Sequence, residues 1–264
     1  MALDQTLREG VIALAHHAAN EILNVYDSEF AVQHKADDSP LTAADLAAHR
    51  CIVAGLQALT PDIPVLSEES KDISTEQRRQ WSRFWLVDPL DGTREFVKRN
   101  GEFTVNIALI EDGVATFGVI QQPVTARLWY GTAGQGAYRR EAGQERAIRV
   151  QAPASVPLRV AVSRSHRDAR TLEMLEKLPA HIEMNCGSSL KFCSIAEGAL
   201  DFYPRFGRTS EWDTAAGQII LEAAGGALRD LQGRPFRYNQ RDTLLNGDFL
   251  AVGDVALFDQ LPPL

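Results

Sequence analysis

Apolar residues recur at three- and four-residue spacing from Leu7 to Val25, a pattern that predicts an amphipathic helix. The same period returns over residues 42–59, where Ala44, Leu46 and Ala47 lead to Ile52, Val53 and Leu56 before Pro61 and Pro64 end the run. FWLV at 84–87 is short, apolar and aromatic, as a buried strand requires. Beyond Phe103 the texture becomes β-branched. TVNIALIEDGVATFGVIQQPVTARLWYGTAGQGAYRR, broken by Glu111-Asp112-Gly113 and glycine-rich turns, predicts an antiparallel meander that ends near Arg140. A charged, Gln-rich stretch (141–152) separates it from an alternating series. LRVAVS, HIEMN, ALDFYPRF, ALRDL and FLAVGD read as strands, whereas TLEMLEKL, SLKFCSIAEG and TAAGQIILEAAGG read as helices. The fold class is therefore α/β, with an α+β N-terminal half and an α/β C-terminal half. The boundary falls near Gln151–Pro157, giving residues 1–153 and 154–264.

Composition narrows the function. With 264 residues the chain can bury a full core, and 45% hydrophobic and 23% charged residues are ordinary for an enzyme-sized protein. The net charge of −8 and the lack of a basic stripe argue against a nucleic-acid polymer as partner. An anionic ligand would then need a metal ion to neutralise it. Cys51, Cys186 and Cys193 form no CxxC pair, so reduced thiols and a cytoplasmic location are expected. No secretory leader is visible in MALDQTLREG, and no run of about 18 apolar residues suggests membrane insertion.

Candidate chemistry begins at WLVDPLDGT, residues 85–93, where an apolar strand runs into two carboxylates. Pro89 biases Asp88 toward extended backbone, which predicts Asp88 at the very end of the strand and Asp91 across a turn. Gly92 admits a conformation that a Cβ would resist, and the amides of Gly92 and Thr93 then face an anion. Two acids beside backbone donors suit Mg²⁺ shared with a phosphate. Asp-Pro and Asp-Gly are also common turn dipeptides, and either alone reads more often as a turn. Two further acid clusters tip the balance. Ser67-Glu68-Glu69-Ser70 follows apolar Val65-Leu66, and Glu211-Trp212-Asp213 opens a helix, where Asp213 alone would read as a cap.

WLVDPLDGT, EWDTAAG, SEES and PLTAAD together resemble the inositol monophosphatase superfamily of lithium-sensitive, Mg²⁺-dependent phosphatases, in the right order over essentially the whole chain. DGTREF, and GSSLKFC followed by EWDTAAG, lean toward its 3′(2′),5′-bisphosphate nucleotidase branch. The resemblance implies a layered αβαβα sandwich of the inositol monophosphatase and fructose-1,6-bisphosphatase type. It also implies two or three Mg²⁺ ions polarising a phosphoryl group. Glu68, Asp88 and Asp213 match the metal-ligand carboxylates, Asp91 the acid beside them, and Leu90 a ligand through its carbonyl. Glu69 falls behind Glu68. Glu68, Leu90, Asp91 and Asp213 would meet the phosphate with the ions, Gly92 and Thr93 would cradle it, and Glu68 joins the catalytic set. Thr93 and Asp45 match the pair that orients and deprotonates the attacking water. Asp45 taken alone also reads as an acid favoured at a helix start.

The second half should recognise the rest of the substrate. Ser188 and Lys191 match nucleotide contacts, Arg205 suits a second phosphate with Arg208 as rival, and His166 is a candidate for the base pocket. Lys191 could equally be a snorkelling lysine on an apolar face. Phe192, Phe202, Tyr203 and Phe206 suit core packing more than base stacking. The leading reading is removal of the 3′-phosphate from adenosine 3′,5′-bisphosphate, a by-product of sulfate assimilation and sulfotransfer. An inositol-1-phosphate or sugar phosphatase is the alternative within the same chemistry. A non-catalytic nucleotide or divalent-ion sensor is the alternative outside it. The resemblance allows peripheral inner-membrane association, for which the sequence offers no basic amphipathic anchor. Monomer and homodimer both stay open.

Overall fold

The computed structural model describes residues 3–29, 31–34, 40–70, 73–164 and 168–262. Helix α1 (Gln5–Tyr26) leads through the short antiparallel pair β1 (Val32–His34) and β2 (Pro40–Thr42) to helix α2 (Ala43–Leu59). Next come β3 (Val65–Ser67), α3 (Thr75–Arg79), β4 (Arg83–Asp91) and α4 (Thr93–Val97). A meander follows: β5 (Thr104–Glu111), β6 (Val114–Gln122), β7 (Arg127–Thr132), β8 (Gly136–Glu141) and β9 (Gln144–Ile148). The rest of the chain alternates. It runs β10 (Leu158–Ser163), α5 (Ala169–Lys177), β11 (His181–Cys186), α6 (Leu190–Ala196), β12 (Phe202–Arg205) and α7 (Glu211–Ala223). Strands β13 (Ala227–Asp230) and β14 (Phe249–Val252) and a 3-10 turn at Val255–Asp259 complete it.

Strands β3 to β9 form a seven-stranded sheet in chain order, parallel only between β3 and β4. The second sheet has five strands in the order β11-β10-β12-β14-β13. Its β11, β10 and β12 run parallel, and β14 and β13 are antiparallel additions. Strand β4 shows how the layers arise. Its side chains alternate, so Trp85 and Val87 enter a core with Val11, Ile22, Ile52 and Leu56 of α1 and α2. Phe84 and Leu86 enter the opposite core, with Leu190, Phe192, Ile219 and Ile220 of α6 and α7. That second core is closed by Tyr203 and Phe249 of the five-stranded sheet. The sheet's other face packs Val160 and Val162 against Met174 and Leu175 of α5. The result is five layers, helix–sheet–helix–sheet–helix, as the resemblance implied. The mixed α/β class is the one read from the pattern.

Helix α7 lies backbone-close on the larger sheet. A Cβ at Gly118 of β6 would stand 2.8 Å from the Ala216 Cα, and one at Gly131 of β7 would stand 2.8 Å from the Ile220 Cα. Two glycines therefore let a helix from the second half seat itself on the first.

Two local expectations change. Gln144–Ile148, within the stretch read as a charged break, is the edge strand β9. Only its Ile148 is buried, and a sheet edge tolerates that polarity. The chain also does not leave the sheet at Asp88, as described next.

Candidate active site

Strand β4 pairs with β5 through Asp88↔Asn106, slips register, and pairs again at Asp91↔Thr104. Asp88 is thus inside the strand, not at its end, and the predicted turn is a bulge. Pro89 is tolerated because β3 last pairs at Ser67↔Val87, so beyond that point β4 has no partner on that side to miss an N–H. The bulge aims two side chains at one spot. The Leu90 amide donates to Asp88 Oδ1 at 3.0 Å, which steadies the first carboxylate.

Asp213 arrives from across the molecule on the first turn of α7. The Ser210 amide donates to Asp213 Oδ2 at 2.8 Å, so the residue serves as a helix-start acceptor as well. Asp88, Asp91 and Asp213 each offer an oxygen within 4.8 Å of the others. Such a cluster resists holding three negative charges. Burial pushes the Asp91 carboxyl up to about 6, against the pull of Lys191, the Ser189 amide and Asn106. Burial, then the charges of Asp91 and Glu68, push Asp213 up to about 8. A set of hard oxygen donors, crowded and starved of positive charge, fits a divalent cation such as Mg²⁺.

Glu68 flanks this triad. Its amide donates to the Val87 carbonyl at 3.0 Å, which carries β3 alongside β4, and its charge reaches both Asp91 and Asp213. The Leu90 carbonyl accepts from Thr93 Oγ1 at 3.3 Å. Thr93 Oγ1 also lies 3.4 Å from Asp45 Oδ1, so residues 48 apart in sequence form the expected pair. Asp45 Oδ2 accepts from the Thr42 amide at 2.7 Å, so Asp45 is also an acceptor at the start of α2. Gly92 has φ +88°, and a Cβ there would sit 3.1 Å from the Glu102 carbonyl and 3.2 Å from the Ser188 Cβ. The cradle at Gly92–Thr93 is therefore pressed directly against the second half.

A cleft of about 220 Å³ opens beside the acids, lined by Asp91, Thr93, Ser188, Lys191, Arg205 and Asp213 among others. Ser188 adopts φ +45°, and its buried hydroxyl has no protein partner. Lys191 does not snorkel. It is 5% exposed, donating to the carbonyls of Cys186 (3.1 Å) and Ser188 (2.7 Å) and lying 5.1 Å from the Tyr203 ring centre. Its ammonium thus shapes the Ser188 loop as well as facing the cleft. Arg205 is 7% exposed; its Nη2 donates to the Arg208 carbonyl, and its Nε is unpartnered. Arg208 also lines the cleft. His166 lies outside the described residues. Phe192 and Tyr203 pack in the central core and Phe202 and Phe206 in the α5 core, as expected of packing residues, though Phe192 and Tyr203 also reach the cleft wall.

Sequence reading missed the group that holds Asp91. The Ser189 amide donates to Asp91 Oδ2 at 2.6 Å and Asn106 Nδ2 approaches it at 3.4 Å. Ser189 Oγ donates in turn to Asn106 Oδ1, and Thr104 Oγ1 does likewise. A signal was available: Thr104 and Asn106 are polar residues at the start of a strand that is otherwise apolar and buried as far as Ile110.

Comparison with known proteins places this geometry. The inositol monophosphatase family model matches residues 3–259. The chain is 51% identical to the 3′(2′),5′-bisphosphate nucleotidase CysQ of Salmonella typhimurium, over 91% of this chain and 97% of that protein. It is 35% identical to the CysQ of Haemophilus influenzae, over 96% and 95% of the two chains. The crystal structure of CysQ from Bacteroides thetaiotaomicron, 38% identical, superposes with a TM-score of 0.83 over 94% of this chain and 97% of that one. The acid-bearing bulge, the five layers and a match along nearly the full length agree: the chain belongs to the inositol monophosphatase family.

Proposed function

We propose that the protein is a Mg²⁺-dependent 3′(2′),5′-bisphosphate nucleotidase that converts adenosine 3′,5′-bisphosphate to AMP and phosphate. The observation carrying this reading is the convergence of Asp88, Asp91 and Asp213 beside a cleft walled by Lys191 and Arg205. An acid triad that favours cations and a cationic wall that favours an anion suit a substrate with two phosphates. The full-length likeness to bisphosphate nucleotidases supports the nucleotide over other phosphate esters.

Glu68, Asp88, Asp91, Asp213 and the Leu90 carbonyl are assigned to hold the ions. Bound there, Mg²⁺ supplies Lewis-acid polarisation of the phosphoryl oxygens and makes a water more acidic. The chain's own groups do the rest. Gly92 and Thr93 present amides to the 3′-phosphate. Thr93 Oγ1, already turned toward Asp45, accepts the proton of the attacking water and passes one to Asp45. The water oxygen bonds to phosphorus as the bond to ribose O3′ breaks, and O3′ leaves as the hydroxyl of AMP by taking a proton from solvent water. Arg205, with Arg208 beside it, is assigned to the 5′-phosphate, and Ser188 and Lys191 to the ribose side of the nucleotide. On this reading residues 1–153 supply chemistry and residues 154–264 supply recognition and Asp213. Cys51, Cys186 and Cys193 are all free thiols, which supports a reducing, cytoplasmic setting. Among the described residues no helix is long and apolar enough to cross a membrane.

The test is phosphate release, with and without Mg²⁺, from adenosine 3′,5′-bisphosphate, its 5′-phosphosulfate relative, inositol-1-phosphate and fructose-1,6-bisphosphate. The nucleotidase reading expects Mg²⁺-dependent turnover with highest kcat/KM on the bisphosphate nucleotide. Equal or faster release from inositol-1-phosphate rejects it.

A further inference from the structure

Loop 238–246 carries none of the residues assigned above, yet it bonds both α3, in the connection that follows Glu68, and the start of α7, which carries Asp213. On one side it receives α3. Arg78 is 2% exposed and donates to Asn239 Oδ1 (2.6 Å) and to the carbonyls of Arg241 (2.8 Å) and Asp242 (2.5 Å). Asn239 Nδ2 returns a bond to the Arg78 carbonyl at 2.6 Å. On the other side the loop grips the start of α7. Glu211, fully buried, accepts from the Asn239 amide (2.7 Å) and from Arg241 Nη2 (2.9 Å). Asn246 Nδ2 donates to the Ser210 carbonyl at 2.6 Å, and the Glu211 amide donates to the Leu244 carbonyl at 2.8 Å.

We infer that Arg78, Asn239, Glu211 and Arg241 form a brace that sets the position of Asp213 relative to Glu68, and so tunes the affinity of the acid cluster for Mg²⁺. These are positioning residues. Arg78 lies in the same β3–β4 connection as Glu68, and Glu211 lies two residues before Asp213, so the brace spans two segments that, among the described residues, no strand pairing joins directly. Stability alone is a poor account of it. Buried ionic networks contribute little net stability compared with apolar packing, because desolvation offsets their attraction, but they do specify one geometry. Around a hard cation that geometry matters, since Mg²⁺ accepts a narrow range of ligand arrangements.

The inference rests on the metal reading above, and the experiment separates the two. Mg²⁺ binding is measured by calorimetry and by the Mg²⁺-dependent rise in Tm, on wild type, Glu211→Asp, Arg78→Lys and the double variant. Both substitutions keep the charge, so a changed affinity reports geometry. Each single variant is expected to raise the half-saturating Mg²⁺ concentration about tenfold, in the range seen when the partners of metal ligands are removed. The double variant should be no worse than the weaker single, because both cut one chain of contacts. Unchanged half-saturation in Glu211→Asp, or effects that multiply in the double, overturns the brace. A wild type that shows no Mg²⁺ response overturns the metal reading itself. Where a charge-conserving variant does not fold, Asn239→Ala, which cuts the brace without removing a charge, is required to show the same weakening.

Discussion

The seven-stranded and five-stranded halves approach the cleft with opposite charge. The first brings acids: Glu68 at the end of β3, Asp88 and Asp91 on the bulged β4, and Asp45 on α2. The second brings cations held from within: Lys191 on α6, tied to loop carbonyls, and Arg205 at the end of β12. On the function proposed above, the negative wall takes the metal and the positive wall the phosphate, so the two halves would divide chemistry from recognition. Asp213 breaks the division. It belongs by sequence to the second half, but α7 packs against β5, β6 and β7 and delivers it to the acids. The contrast teaches that the site is completed by a helix crossing between layers rather than by either half alone.

That division can be broken experimentally. Asp213→Asn and Asp91→Asn should each lower kcat by on the order of a thousandfold, from several kcal/mol of lost charge stabilisation, with the circular dichroism spectrum unchanged. Retained turnover in either would end the metal assignment. Asp45→Asn should cost about a hundredfold in kcat while leaving KM near wild type, the range for a lost general base. If instead it acts only on stability, Asp45 is a helix-start acceptor and nothing more. Arg205→Gln should raise KM for adenosine 3′,5′-bisphosphate by about ten- to a hundredfold, the worth of a charged hydrogen bond, and leave inositol-1-phosphate kinetics untouched. Equal loss on both substrates would place Arg205 with the chemistry.

Two smaller effects sharpen the comparison. With pKa values of about 6 and about 8, Asp91 and Asp213 bind protons more tightly folded than unfolded, where an aspartate titrates near ~3.9. Their contribution to metal-free stability should therefore be fullest below about pH 4 and fall as pH rises through 6 and 8. Mg²⁺ should flatten that decline, and Asp213→Asn should raise the metal-free Tm at pH 8.5 by on the order of a few degrees. A Tm difference between Asp213→Asn and wild type, both metal-free, that does not grow between pH 5 and 8 would contradict the crowding of these carboxylates. Gly118→Ala should destabilise by about 1–3 kcal/mol in urea titration, because its Cβ meets the α7 backbone at Ala216 as well as the Ile219 side chain. No loss of stability would mean that α7 shifts freely on the sheet.

Much of this was legible in the chain. Periods of two and of three to four marked most elements, because burial on one face leaves a local imprint on sequence. Helix α1, the meander from Thr104 and the alternating second half all follow from it. The acids after apolar runs at Leu66 and Val87 pointed to chemistry for the same reason, since charge next to a buried strand is costly unless it is used. Strand β9 was not legible, as an edge strand need not be apolar. Nor was the holding group of Asp91, because Ser189 is 98 residues from it and no local pattern links them.

Sequence by itself determined the element types, the α/β class and the identity of the acids and cations available to the site, all properties of neighbouring residues. Tertiary structure alone decided which of them meet. Asp88 sits within a bulge, Asp213 crosses on α7, and the Lys191 ammonium is engaged by two carbonyls. Those outcomes depend on how layers close over one another, and closure is set by contacts between residues that the chain order keeps far apart.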